Sequence, residues 1–138
     1  MTRAQAAAWA TIAAIAGAAA LYYIFANVSP YAAEGVLNVP AVVGLFSALL
    51  LFSTGLCTVG VLALHERWPA LAGVNSRQPG ATPAPEAALR QGILLALALT
   101  TLLALSALSL LDPAFVLVAL LITVLIEGLW QVRPFGRG

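Results

Sequence analysis

Arg90–Leu111 reads RQGILLALALTTLLALSALSLL, Asp112–Phe115 reads DPAF, and Val116–Arg133 reads VLVALLITVLIEGLWQVR. Gly92 to Leu111 is 20 residues without a charge, and Ala114 to Ile126 is again uncharged and apolar but for Thr123. A helix rises about 1.5 Å per residue, so about 20 apolar residues match the roughly 30 Å hydrocarbon core of a bilayer. Proline interrupts helical hydrogen bonding, and the residue before it disfavours the helical conformation, so Asp112-Pro113 punctuates the two runs. The stretch predicts a tight hairpin of two membrane helices.

The remainder of the chain has the same character. Of its 138 residues, 62% are hydrophobic and 8% charged, with a mean hydropathy of +1.02. Soluble domains carry about 25% charged residues. The composition therefore predicts an integral membrane protein made of one membrane domain, 1–138. All six basic residues are arginine, and the net charge is +1. That leaves no basic patch of the kind a nucleic-acid partner requires. Cys57 is the single cysteine, so no internal disulfide or redox pair can form, and it reads as a small packed residue.

Working upstream, Gln5–Val28 is the first apolar run, with a membrane helix expected over about 6–27. A secretory signal has an apolar core of about 7–15 residues. This run is longer and ends in Tyr22, Tyr23 and Phe25, so it reads as an uncleaved helix. Ser29-Pro30 breaks it. A second helix is expected over 39–64, with Pro40 in the first turn, where a missing N–H costs nothing. The segment 65–90 reads as a loop, and GVNSRQPGATPAP at Gly73–Pro85 should be irregular. Near its end Thr82 can cap, Pro83 suits a first helical position, and Glu86 with Arg90 forms a favourable i,i+4 pair, so the third helix should start in water, before its membrane run. The last two helices are expected over 91–111 and 114–132. The predicted fold is all-α: a four-transmembrane-helix bundle of two hairpins, running up-down-up-down.

Four alternating helices put both termini and the loop 65–90 on one side. Arg3, Arg67, Arg77, Arg90, Arg133 and Arg137 all fall there. Trp9, Trp68 and Trp130 lie near the same ends, whereas Tyr22, Tyr23 and Tyr31 lie near the others. Arginine excess marks the cytoplasmic face, and both aromatic types favour the headgroup boundary. The expectation is a multi-pass cell-membrane protein with both termini cytoplasmic. The alanine- and arginine-rich, lysine-free composition suggests a GC-rich bacterial genome and hence an inner membrane.

Few residues can carry chemistry. His65 is the only histidine. A metal set takes three or four ligands, so His65, beside Glu66, Arg67 and Trp68, reads as a plain interfacial histidine rather than as an axial ligand to a haem-type ring. Thr100, Thr101, Ser106 and Ser109 have no base nearby in sequence. Such hydroxyls usually bond a carbonyl one turn back or a neighbouring helix. There is no Gly-rich phosphate loop, carboxylate pair or metal motif. The expectation is no enzyme, no catalytic residue, no cofactor and no metal.

Two structural signals are stronger. Ala6, Ala10, Ala14 and Ala18 recur every fourth residue, with Ala13 and Gly17 beside them. Small residues at that spacing let helix backbones approach closely. The face serves either a partner or second copy, or packing within the chain. Second, Glu127 is the only acid inside a membrane run, with Ala119 and Thr123 on its face. A carboxylate facing lipid is costly, so this face should turn toward protein. Gln91 and Arg90 are the expected partners, with Arg67 and Arg3 as rivals. Counting helical rise from the turn places Arg90 about 10 Å farther out than Glu127, so direct pairing should need tilt or Gln91 as intermediary.

The helix ends share Arg, Trp and Pro punctuation in both hairpins. A parallel duplication would produce that, and so would any helix end at a membrane surface. The chain is similar in size to the small multidrug exporters. Their transport rests on an acidic residue deep in the first helix, and this first helix has none. The functional expectation is a non-catalytic membrane protein in the lipid bilayer. It would be an accessory subunit, assembly factor or scaffold packing against partner membrane subunits or itself. The alternative is a small oligomeric transporter or channel, with the hydroxyl-bearing second and third helices lining a path.

Overall fold

The computed structural model describes residues 1–31, 36–68, 84–107 and 112–132, with backbone only at 113, 115 and 130–132. Several expectations lie outside the described residues: the irregular stretch 73–83, Thr82 as a cap, Glu34, the 108–111 end of the third helix, the side chain of Trp130, and the tail.

Four helices form: α1 Arg3–Asn27, α2 Val39–Arg67, α3 Pro85–Ala107 and α4 Pro113–Val132. The chain is all-α, and its described residues form no strand beyond one isolated bridge, Tyr31 to Leu37. Helices α1, α2 and α3 are long and apolar enough to cross a membrane, whereas α4 offers a shorter apolar stretch, Val116–Leu129. That stretch rises only about 21 Å. By length and composition the structure therefore supports three spans plus a shorter apolar helix, where the sequence predicted four spans. Large apolar side chains such as Trp9, Ile15, Phe25, Leu56, Leu117 and Leu129 point outward. This is the surface of a small multi-pass membrane protein.

Two helix ends differ from expectation, each for a local reason. Helix α1 begins at Arg3 because Thr2 and Gln5 form a capping box: the Gln5 N–H donates to Thr2 Oγ1 at 3.2 Å, and the Thr2 N–H donates to Gln5 Oε1 at 2.8 Å. Helix α2 runs past Leu64 to Arg67, with His65 and Arg67 in a last turn whose carbonyls favour cations. Its start is held by Asn38, which accepts from the Ala41 N–H at 3.4 Å. Asn38 also closes the preceding loop, since its backbone N–H donates to Pro30 O at 2.9 Å. Helix α3 begins at Pro85, ahead of the apolar run from Gln91 as expected, with proline at its favoured first position.

The start of α1, the end of α2, the start of α3 and the end of α4 meet at one end. The Met1 ammonium reaches Glu86 at 3.1 Å, and Arg3 pairs with Glu66 and donates to Leu62 O at 3.3 Å. Glu86 therefore turns to Met1, and Arg90 turns to Glu127, so the expected Glu86–Arg90 pair does not form.

Packing proceeds by close approach at small residues. A Cβ on Gly17 would stand 2.6 Å from Phe52 Cα, and one on Gly55 would stand 2.8 Å from Ala14 Cα. Only hydrogen fits at either place, so α1 and α2 lie backbone to backbone. The α2–α3 seam repeats the device, because a Cβ on Gly92 would lie 2.7 Å from Thr58 Cα. Ala88, Gly92, Ala96 and Thr100 are the buried face of α3. Helix α4 differs. None of its described residues is buried. It meets α3 through a half-buried stripe, Val116, Ala119, Thr123, Ile126 and Glu127. Helices α1 and α4 make no extended contact, so the helices form an open row rather than a closed bundle. The two hairpins thus pack differently, the first tightly and the second loosely.

Candidate functional site

The polar groups gather at the end where α2, α3 and α4 meet. Arg90 and Gln91 are adjacent on α3, and both reach Glu127 on α4. Arg90 Nε and a terminal guanidinium nitrogen donate to the two Glu127 carboxylate oxygens at 3.1 and 2.8 Å, a forked pair. The Gln91 side-chain NH2 donates to Glu127 Oε1 at 2.8 Å. Arg90 therefore bonds Glu127 directly, alongside Gln91 rather than only through it. The Glu127 side chain is 17% exposed and that of Arg90 31%.

His65 joins the same chain from α2. Its Nε2 lies 2.8 Å from Gln91 Oε1. The protonation pattern follows from the far end. An ionised carboxylate only accepts, so Gln91 must turn its NH2 to Glu127 and its carbonyl oxygen to His65. His65 must then carry its proton on Nε2 and donate it. In the neutral ring Nδ1 keeps a lone pair, and this buried atom has no hydrogen-bond partner. His65 is 3% exposed, which corrects the expectation of a plain interfacial histidine. The cause is helix length: α2 continues past Leu64 and α3 starts before Gln91, so both helices enclose it.

Between α2, α3 and α4 lies a groove of about 390 Å³, walled by Val61, Leu64, Leu94, Leu95 and Val124, with Gln91, Thr123 and Glu127 as its polar groups. Thr123 donates to Ala119 O at 2.8 Å within its own helix. On α2, Ser53 likewise donates to Leu49 O at 2.7 Å. Thr100 does not follow the expectation of a bond one turn back: its hydroxyl, like that of Thr58, is buried without a hydrogen-bond partner. Thr58 Oγ1 instead stands where a Cβ on Gly92 would be, packed against the glycine.

The small-residue candidates of α1 fall elsewhere. Ala10 and Gly17 are buried and Ala14 half-buried, all against α2, so the chain's own second helix occupies this face. Cys57, expected as a packed residue, is free and only partly buried. Sequence reading missed two features. One is the buried role of His65. The other is the stripe Ala88, Gly92, Ala96, Thr100, whose four-residue spacing was the same signal that marked α1.

Chemically, the junction is a charge-assisted hydrogen-bond chain that ties three helices together. No group of three or more His, Cys, Asp or Glu that could hold a metal ion occurs among the described residues. No protein-family model, curated protein or solved structure matches the chain.

Proposed function

We propose that this is a non-catalytic membrane protein of four spanning helices that works by packing. It would serve as an accessory subunit, assembly factor or scaffold beside partner transmembrane helices, in a cell membrane with both termini cytoplasmic. The observation that carries the reading is the uneven packing. Helices α1, α2 and α3 use their small residues against one another, whereas α4 covers one stripe only and leaves Leu117, Leu121, Val124, Leu125 and Leu129 outward. An open, strongly apolar helix at the edge of a row is suited to lie beside another helix. The polar groups support the same reading, since they join helices rather than converge on an open reaction site. The all-arginine side supports the orientation.

One observation favours a second reading, a small transporter: Glu127 and Gln91 line a groove at the edge of the membrane run, and intramembrane acids often mark ion routes. Against it, the Thr58 hydroxyl lies in a seam closed against Gly92, while Ser47, Thr101 and Ser106 are exposed on the outer surface rather than lining a shared path. Purification from native membranes in mild detergent separates the two. Stoichiometric recovery with other membrane subunits supports the packing role. Recovery as a lone homo-oligomer that moves a solute in liposomes overturns it.

A further inference from the structure

We propose that α4 is a hinged wall, fastened near its C-terminal end by the Arg90–Glu127–Gln91 contact, which swings about its N-terminal end when that contact breaks and so opens the groove between α2 and α4. The inference holds whichever function the protein has.

Three independent features point to it. First, the described residues of α4 show little apolar packing. None of its described residues is buried, while each of α1, α2 and α3 buries at least three. Grooves flank it on both sides of the α3 contact: the one of about 390 Å³ toward α2, and another of about 310 Å³ lined by Leu89, Arg90, Ile93 and Ile126. Both grooves open outward, so protein side chains do not close over the flanks of α4 at these places.

Second, the fastening is concentrated. Among the described residues, α4 hydrogen-bonds another helix through Glu127, whereas the Thr123 hydroxyl stays within α4. Hydrogen bonds in which both partners are ionised are shorter and stronger than neutral ones. Among the described residues, the hydrogen bonds that tie α4 to another helix thus converge on one side chain. The chain continues through Gln91 to His65, so the fastening reaches α2 as well as α3.

Third, the opposite end of α4 supplies its own cap. The Ala114 N–H donates to the Asp112 carboxylate at 3.0 Å, and the Val116 N–H reaches Asp112 O at 3.4 Å. Helix α4 therefore does not depend on a neighbour to begin. From Pro113 to Glu127 is a lever of about 21 Å, and a tilt of about 15° moves its far end by about 5 Å. Such a displacement exceeds the reach of every hydrogen bond at Glu127.

The test uses pairs of spin labels on the full chain in lipid nanodiscs, with Cys57 replaced by alanine. Labels at Trp9 and Leu129, both outward-facing, report the separation of α1 from α4. Labels at Trp9 and Leu56, also outward-facing, report the α1–α2 unit. Glu127→Gln should add a population about 5 Å longer to the first distance and leave the second unchanged. The exchange Arg90→Glu with Glu127→Arg should restore the single distance. An unchanged first distance in Glu127→Ala would overturn the proposal. So would equal broadening of both distances, because the contact would then hold the whole assembly rather than α4 alone.

Discussion

Replacing Gly17 by alanine adds one methyl group and raises helix propensity by about 1 kcal/mol, yet it should destabilise this protein. The added Cβ would stand 2.6 Å from Phe52 Cα and 2.8 Å from Phe52 Cβ. Carbon atoms pack best at about 3.5–4.0 Å, so α1 must retreat by about 1 Å. A gap of that size forfeits about a quarter to a half of each dispersion contact along the shared face. The obstacle is helix backbone, which cannot rotate aside as a side-chain tip can. Overpacking of this kind costs about 1–3 kcal/mol, and a net loss of up to about 2 kcal/mol is expected after the propensity gain. Gly17→Leu should prevent the α1–α2 contact altogether. The internal controls are Gly60→Ala and Gly128→Ala, since a Cβ at either position meets nothing within 4 Å. Both should be neutral or stabilising by up to about 1 kcal/mol. Reversible unfolding in mixed micelles, followed by tryptophan fluorescence, measures all four. Equal stability of Gly17→Ala and Gly60→Ala would refute the close-approach argument.

Thr100→Val should be neutral or stabilising by about 1 kcal/mol, because the buried hydroxyl it removes has no partner; a clear loss in the same unfolding assay would mean the hydroxyl is satisfied. Gln91→Ala removes the acceptor of His65 and one donor to Glu127, with an expected cost of about 1–2 kcal/mol. Gln91→Glu should cost more, since it sets a second carboxylate beside Glu127; if it equals Gln91→Ala in stability, the hydrogen-bond directions deduced at this junction are wrong. Reporter fusions within Ser76–Pro79 and after Phe135 should read cytoplasmic, and one at Glu34 external. A cytoplasmic signal at Glu34 would refute the four-span orientation.

The sequence alone determines the class of protein and the number of helices. Hydropathy and the breaks at Ser29-Pro30 and Asp112-Pro113 are local properties, and a low-dielectric solvent forces apolar backbone into helices whatever their neighbours. The T-x-x-Q start of α1 is legible in the sequence too, because a capping box is a local pattern. The small-residue spacing marked α1 as a close-packing face, but spacing does not say which helix fills it. Only the tertiary structure decided that Phe52 and Gly55 on α2 do so. His65 shows the same limit. Its neighbours in sequence, Glu66 and Arg67, are surface residues, and it becomes a buried donor only because α3 brings Gln91 to within 2.8 Å. The asymmetry between a tightly packed α1–α2–α3 row and a loosely held α4 also lies beyond the sequence. Composition counts apolar surface, but it does not distinguish surface that meets lipid from surface that meets protein, since both are apolar. That distinction depends on which backbones approach closely enough to exclude lipid.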